Sequence, residues 1–563
     1  MTMTLTTSST TVVSPVVPRG KTLRPLGLDE VTITGGFWAD RQRVNGTATL
    51  DHIERWLERE GWIRNFDIVA SGASTEGRRG REFADSEVYK YLEAVAWELF
   101  RTGENAGLDG RFRAVVDRVA RAQHADGYLS TAFGHPGQGP RWSDLEWGHE
   151  LYCIGHLLQA AVARERTAPG ADDGLLDVAR RAADLVCCEF GPDGRAAICG
   201  HPEIELGLVE LGRVLAEQRY IDQAALFVDR RGHGTLRDIE FGRSYYQDDV
   251  PVRETEALHG HAVRANYLAA GAVDTAVERG DDRLLDALRS QWARTVARRT
   301  YITGGQGAHH QDEGFGEDWE LPPDRAYSET CAGIASIMFS WRLLLLDGDA
   351  RYADLVERTL YNVVATSPSA AGDSFFYANT LHQRVPGDVP TGDEISPRAF
   401  SSVRAPWFEV SCCPPNVART LASLAGYVGR PWVLRLRVPG WAAGATVTVS
   451  TAEGDEMTDA APGYATVERA FRTGDTVVLE LPMEARFTAP DSRIDAVRGA
   501  VAVERGPEVY CLESAVAGVG IEDVAVRTDI APRFDGRRVE IAVQEVHAVD
   551  AEWPYAETGS GHD

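Results

Sequence analysis

The feature that most constrains this chain is a change of hydrophobic period near residue 430. From about residue 48, and for roughly 380 residues, apolar side chains recur at three- and four-residue spacing, the mark of amphipathic helices. The spacing predicts helices at Leu50–Glu60, Val88–Phe100, Phe112–Gln123, Glu150–Ala163, Leu175–Cys188, Glu203–Leu215, Ile221–Asp229, Ala262–Val277, Arg283–Arg298, Cys331–Leu345, Tyr352–Thr366 and Val417–Tyr427. Beyond it the period falls to two, and Gly, Pro and Asp punctuate expected strands at Val433–Val438, Thr446–Ser450, Ala465–Arg469, Thr476–Leu481, Val501–Val503 and Glu508–Leu512. A helical body followed by a β-rich unit is the consequence, and 563 residues are enough for both.

The helical part has an internal rhythm. Gly-His occurs at 148–149, 200–201 and 260–261, each time just before a predicted helix. The intervals are those of a helical hairpin with its loops, which predicts a barrel of paired helices with His149, His201 and His261 on one rim. Singly, each histidine would be an ordinary helix-start or packing residue; in phase, they line a shared pocket. Asp126-Gly127-Tyr128-Leu129, Trp142 and Trp147 lie nearby and offer the aromatic faces and polar tips that a sugar ring needs.

Charge narrows the partners. Lys and Arg number 58 against 84 Asp and Glu, a net charge of −26 that excludes nucleic acid and anionic membrane surfaces and suits a neutral ligand. The first residues carry no basic stretch followed by an apolar run, and no segment approaches the ~20 apolar residues of a membrane span. Residues 1–26 are therefore expected to be a flexible leader, 27–429 the helical domain, 430–548 the β-rich domain and 549–563 a frayed tail. The expected location is the cytoplasm, with the eight cysteines as reduced thiols.

Two stretches carry the chemistry. Tyr327-Ser328-Glu329-Thr330-Cys331 and Val410-Ser411-Cys412-Cys413-Pro414-Pro415-Asn416 together offer three thiols and a carboxylate. Soft thiolates favour Zn²⁺, which four protein groups at roughly 2.0–2.3 Å would hold in a tetrahedron. The plainer alternative is buried core cysteine. Between Tyr301 and Cys331 runs a loop rich in glycine and carboxylates, without the strand–GxGxxG–helix or GxxxxGK[ST] arrangement of a phosphate site. Most of Asp312, Glu313, Glu317, Asp318, Glu320 and Asp324 are expected to face solvent, with at least one available as a general acid.

Longer motifs point to a family. Phe83-Ala84-Asp85-Ser86-Glu87-Val88-Tyr89-Lys90, Gly127-Tyr128-Leu129, Gly260-His261-Ala262-Val263-Arg264, Tyr301-Ile302-Thr303-Gly304-Gly305, Glu329-Thr330-Cys331 and Cys412-Cys413-Pro414-Pro415-Asn416-Val417-Ala418-Arg419 resemble glycoside hydrolase family 127, the β-L-arabinofuranosidase family, over roughly residues 27–515. The resemblance implies a mainly α fold, an (α/α)₆ barrel followed by β-sandwich material. It also implies a retaining exo-glycosidase that removes terminal β-L-arabinofuranosyl or a closely related sugar from a small oligosaccharide or glycoside. By the same resemblance Glu329, Cys331, Cys412 and Cys413 would bind zinc, Cys412 would be the nucleophile and Glu313 the general acid/base. His149, His201, His261 and Tyr377 would hold sugar hydroxyls. In such chemistry sulfur replaces one of the two carboxyl groups of an ordinary retaining site, and coordination would keep a thiol of pKa ~8.5 ionised. Glu313 is expected to have a raised pKa under cover of the loop that contains Trp319.

The chain departs from the family at one place. Leu424-Ala425-Gly426-Tyr427-Val428-Gly429 passes almost at once into Arg430-Pro431-Trp432-Val433, where relatives continue through more strands. The shortened β region is expected to expose apolar surface or strand edges, which leaves room for a homodimer. Two rival functions fit the same barrel: a sugar epimerase or lyase using the rim histidines for proton transfer, and a catalytically silent carbohydrate-binding scaffold with structural zinc.

Overall fold

The computed structural model describes residues 3–5, 12–19 and 23–546, apart from 73, 104, 384–386, 399–402, 428, 431–433, 468–473 and 514–519. Six helices form a closed inner ring: Ala84–Thr102, Glu150–Thr167, Ile204–Leu215, Ala262–Arg279, Thr330–Asp347 and Cys413–Ala422. Each packs against the next, and the last returns to the first. Leu50–Arg59, Ala106–Ala122, Leu175–Phe190, Gln218–Arg230, Asp282–Arg298 and Ala350–Thr359 alternate with them along the chain and form the outer layer. This is the expected (α/α)₆ barrel.

Burial explains which helix goes where. An outer helix such as Leu175–Phe190 hides only Leu175, Val178, Ala179, Ala182, Ala183, Val186 and Phe190, one stripe at three- and four-residue spacing. Inner helix Thr330–Asp347 is buried on all sides from Thr330 to Leu345, so its apolarity matches a membrane span without being one. The layers also start differently. Outer helices at Ala106, Asp282 and Ala350 are capped by Asn105, Asp281 and Asp349, whose side chains accept first-turn N–H groups. Inner helices have Phe83, His149, Glu203, His261, Glu329 and Cys412 at that position. Of these only His261 accepts a first-turn N–H, so the inner helices start, at one end of the ring, on residues that are seldom caps.

The opposite end is closed by charge and by the chain's own N-terminal segment. Glu210 accepts from Arg166 and Arg213, both at 2.5 Å, and Arg213 also reaches Asp274 at 2.9 Å and Glu278 at 2.7 Å. All these side chains are almost wholly buried. Replacing Glu210 by Ala would leave Arg166 without its carboxylate, while Arg213 keeps Asp274 and Glu278, and is expected to cost about 3 kcal/mol, read as a fall of about 2–3 °C in the thermal unfolding midpoint. Arg166 also donates to the carbonyls of Ser14 and Pro15 at 2.9 and 3.0 Å, and Arg19 donates to Gly212 O and Arg213 O at 2.8 and 3.1 Å. Val13 and Val16 are buried. Residues 12–19, expected as part of a flexible leader, are packed, because two valines and the backbone carbonyls beside them complete the barrel floor.

Beyond the barrel the strands are short. Leu434–Val438 pairs with Gly463–Val467, while Ala445–Thr451 pairs with Gly454–Ala460 and Thr476–Glu480. A small core of Val438, Ala442, Ala445, Val447, Val449 and Ala460 gathers both sets. Ala485–Thr488, Ala502–Arg505 and Glu508–Tyr510 form a further sheet, tied to the barrel by Arg358–Glu504 at 2.7 Å and by Asn362 with Pro507 and Val509. Among the described residues of this region, Met457, Val478, Ile530, Val543 and Val546 are exposed. The abrupt junction at 428–433 lies partly outside the described residues, as does the tail expected at 549–563.

Candidate active site

The six inner N-termini open onto one cavity of about 500 Å³, within the range of small-molecule sites. Their helix dipoles present partial positive charge to it, which favours anions such as thiolate or carboxylate. The Gly-His pairs owe their geometry to close packing. A Cβ on Gly148, Gly200 or Gly260 would stand 2.2–2.3 Å from the carbonyl oxygen of Asp144, Glu146 or Ser244, so only glycine lets the chain pass and turn the next histidine inward.

The three imidazoles form a row, with ring centroids 5.7 Å apart for His149 and His201 and 5.8 Å for His201 and His261. All three are buried. His149 Nδ1–H donates to Trp147 O and His201 Nδ1–H to Pro202 O at 2.8 Å, leaving each Nε2 as an acceptor. Burial, reinforced by the Arg264 charge, pushes His149 down to about 3 and His201 well below the ordinary value, so both are neutral. His261 has the other tautomer: Nδ1 accepts the Arg264 N–H and Nε2–H donates to Glu313 Oε2 at 3.2 Å.

Beside this row lie the sulfurs. Cys331 Sγ is 3.4 Å from Cys412 Sγ and 3.3 Å from Cys413 Sγ, and these last two are 3.9 Å apart. Glu329 Oε1 is 3.3 Å from Cys412 and 3.7 Å from Cys413. None of these contacts is a disulfide, whose S–S length is about 2.0 Å. A tetrahedron with arms of about 2.3 Å to sulfur has S–S edges of about 3.8 Å and S–O edges of about 3.5 Å. The donor set therefore fits a single tetrahedral cation. Electrostatics agree: burial holds the Cys412 and Cys413 thiols and the Glu329 carboxyl far up in pKa. Burial would raise Cys331 too, but the neighbouring thiols donate to it and bring it down to about 6. Four acidic groups this close cannot all ionise without a positive partner, and buried Glu329 Oε2 has no hydrogen bond. Among the four, Cys412 is 9% exposed and lines the cavity, whereas Cys413 is fully buried. The Tyr377 hydroxyl is 2.9 Å from Cys412 Sγ.

Glu313 also lies in the cavity, on a backbone at φ 54°, in the left-handed region that non-glycine residues seldom occupy. His149 at φ 57° and Ser328 at φ 42° share that strain, which concentrates at functional sites. The expected rise in the Glu313 pKa is not found. Burial would raise it, but the His261 hydrogen bond and the Arg398 guanidinium, 2.7 Å from Oε1, outweigh burial and hold the carboxyl below its ordinary value. Nor does Trp319 cover it, because that ring packs with Arg493 and Arg298. Trp142 is likewise no sugar platform: it is buried edge-on against Tyr128 and Phe190. Trp147 does line the cavity, with Phe241 and Tyr245. Elsewhere in the acidic loop, Asp318 accepts from Arg294, Arg298 and Arg299 and is held down to about 2, so it is an anchor. Arg398 had no signal in the sequence, since it stands in a polar, Gly- and Pro-rich stretch without a period.

A closed helical barrel with a polar cavity at one rim, lined by aromatic rings and carboxylates, has the form of a carbohydrate-processing enzyme, and comparison with known proteins makes the chain a glycoside hydrolase. Residues 30–426 match the family described as β-L-arabinofuranosidase, GH127 catalytic domain, and residues 418–483 and 485–552 match the GH127 middle and C-terminal domains. The chain belongs to glycoside hydrolase family 127. The non-reducing end β-L-arabinofuranosidase of Bifidobacterium longum subsp. longum is 32% identical over 527 residues, covering 79% of this chain and 78% of that one. The crystal structure of a GH127 β-L-arabinofuranosidase from Geobacillus stearothermophilus T6 superposes with a TM-score of 0.80 at 30% identity, over 92% of this chain and 96% of that one. A second solved GH127 β-arabinofuranosidase gives a TM-score of 0.79 at 30% identity, over 94% of each chain.

Proposed function

We propose that this glycoside hydrolase removes terminal β-L-arabinofuranosyl units with retention of configuration, Cys412 acting as nucleophile and Glu313 as general acid/base. The observation that carries the reading is the cluster of Glu329, Cys331, Cys412 and Cys413 at tetrahedral spacing, with Cys412 the sulfur most open to a cavity that also contains Glu313. Zn²⁺ held by these four residues would keep the thiols ionised at neutral pH.

The chain's own groups then divide the work. His149, His201 and His261 line one wall and engage sugar hydroxyls, while Tyr377 steadies the Cys412 sulfur and meets the sugar beside it. The Cys412 thiolate attacks the anomeric carbon as the bond to the leaving oxygen breaks, and Glu313 gives that oxygen a proton it takes up on substrate binding. In the second half Glu313 is a carboxylate, the form it has in the free protein, and removes a proton from water. The water oxygen bonds to the anomeric carbon and the Cys412 thiolate departs, so two inversions give net retention. The neutral row of histidines suits an uncharged glycoside.

The test is hydrolysis of a chromogenic β-L-arabinofuranoside by purified protein, with metal measured on the same sample. Chromophore release by protein carrying about one zinc per chain is expected. Zinc-loaded protein that releases nothing would contradict the assignment of this sugar.

A further inference from the structure

We propose that Tyr152 is a sugar-binding residue whose hydroxyl is fixed as a hydrogen-bond donor by Lys90, a positioning residue buried beneath the cavity; the proposal rests on the glycosidase reading above. Of the 58 basic residues in the chain, only Lys21 and Lys90 are lysine. Lys21 lies outside the described residues, so every other described member of that set is arginine. The one described lysine is completely buried, on inner helix Ala84–Thr102.

Its surroundings fit an ammonium and not a guanidinium. Lys90 Nζ is 3.3 Å from each Glu87 oxygen and 3.0 Å from the Tyr152 hydroxyl. Three N–H groups thus meet three acceptors, whereas arginine would bring five donors in a rigid plane. An ammonium cannot accept, so the Tyr152 oxygen must, and the phenol proton has to point elsewhere. No acceptor for it is found among the described residues. Tyr152 lines the cavity together with Cys331 and Cys412, and its ring centroid is 4.3 Å from that of His201.

His201 offers the cavity a bare Nε2, because its Nδ1–H is engaged with Pro202 O. One sugar hydroxyl between the two residues could accept from Tyr152 and donate to His201. The chain Lys90–Tyr152–hydroxyl–His201 then runs donor to acceptor throughout, each bond polarising the next. A hydroxyl read in both of its roles is discriminated from hydrogen or fluorine at that carbon.

The test compares Tyr152→Phe with the native enzyme on a β-L-arabinofuranoside and on its 2-, 3- and 5-deoxy analogues. About a tenfold loss of kcat/KM is expected on the full substrate, vanishing on one analogue only, since that analogue has already lost the contact. A residue needed merely for folding would lower all four alike. Glu87→Gln/Lys90→Met, which removes both buried charges together, should impair the same hydroxyl and add nothing in the Tyr152→Phe background. Tyr152→Phe within about twofold of native, or equal losses on every analogue, would overturn the role of Tyr152. Multiplying losses would overturn the action of Lys90 through it. Failure of the native zinc enzyme to cleave any arabinofuranoside would instead defeat the parent reading.

Discussion

Cys412→Ala will leave a folded protein that no longer turns over, with kcat on an arabinofuranoside lower by about 10⁴-fold or more. The fold should survive because Cys412 makes no capping hydrogen bond to the helix it precedes and its sulfur faces the cavity, whereas Cys413 is enclosed in the inner ring. The chemistry should not survive, since the other sulfur on the cavity wall, Cys331, is more deeply buried than Cys412. Metal content should fall as well, one of four donors being gone. Kinetics with a thermal melt on the same preparation check this, and activity within tenfold of native would remove Cys412 from the role.

Glu313→Ala should cost about 10²–10⁴-fold, and the loss should depend on the leaving group. An alkyl glycoside needs its oxygen protonated and should suffer the full effect. A nitrophenyl glycoside departs without help, so its first step should be nearly normal, the second step becoming limiting and recovering with added azide. Removing this carboxylate also frees Arg398 and His261 from their shared partner, so a uniform loss across leaving groups would mark Glu313 as a positioning group for them.

Much of this architecture was legible in the sequence because barrel helices obey local rules. Each outer stripe, such as that from Leu175 to Phe190, announces itself by period, and each Gly-His pair marks a place where only glycine passes under a carbonyl. What escaped has physical causes. Phe37–Val44 and Arg64–Ala70 are helices of eight and seven residues, too short for a period to emerge. Gly454–Ala460 is an exposed edge strand of largely polar residues that has no alternation to read. Trp142 and Tyr128 looked like platform residues because composition cannot tell an aromatic core from an aromatic wall. The Glu313 environment depends on Arg398, 85 positions away, a pairing no local pattern encodes. The packed segment around Val13 and Val16 was equally hidden, since its partners are the backbone carbonyls of Gly212 and Arg213 and one distant arginine, Arg166.

The central claim is that sulfur, and not a carboxylate, bonds to the sugar. It is met most directly by denaturing the enzyme during turnover of a slow β-L-arabinofuranoside and mapping the peptides by mass. One pentosyl unit on the peptide carrying Cys412-Cys413, absent from Cys412→Ala, is the predicted result. A pentosyl unit on Glu313 or Glu329, or retained configuration without any adduct on Cys412, would contradict the account.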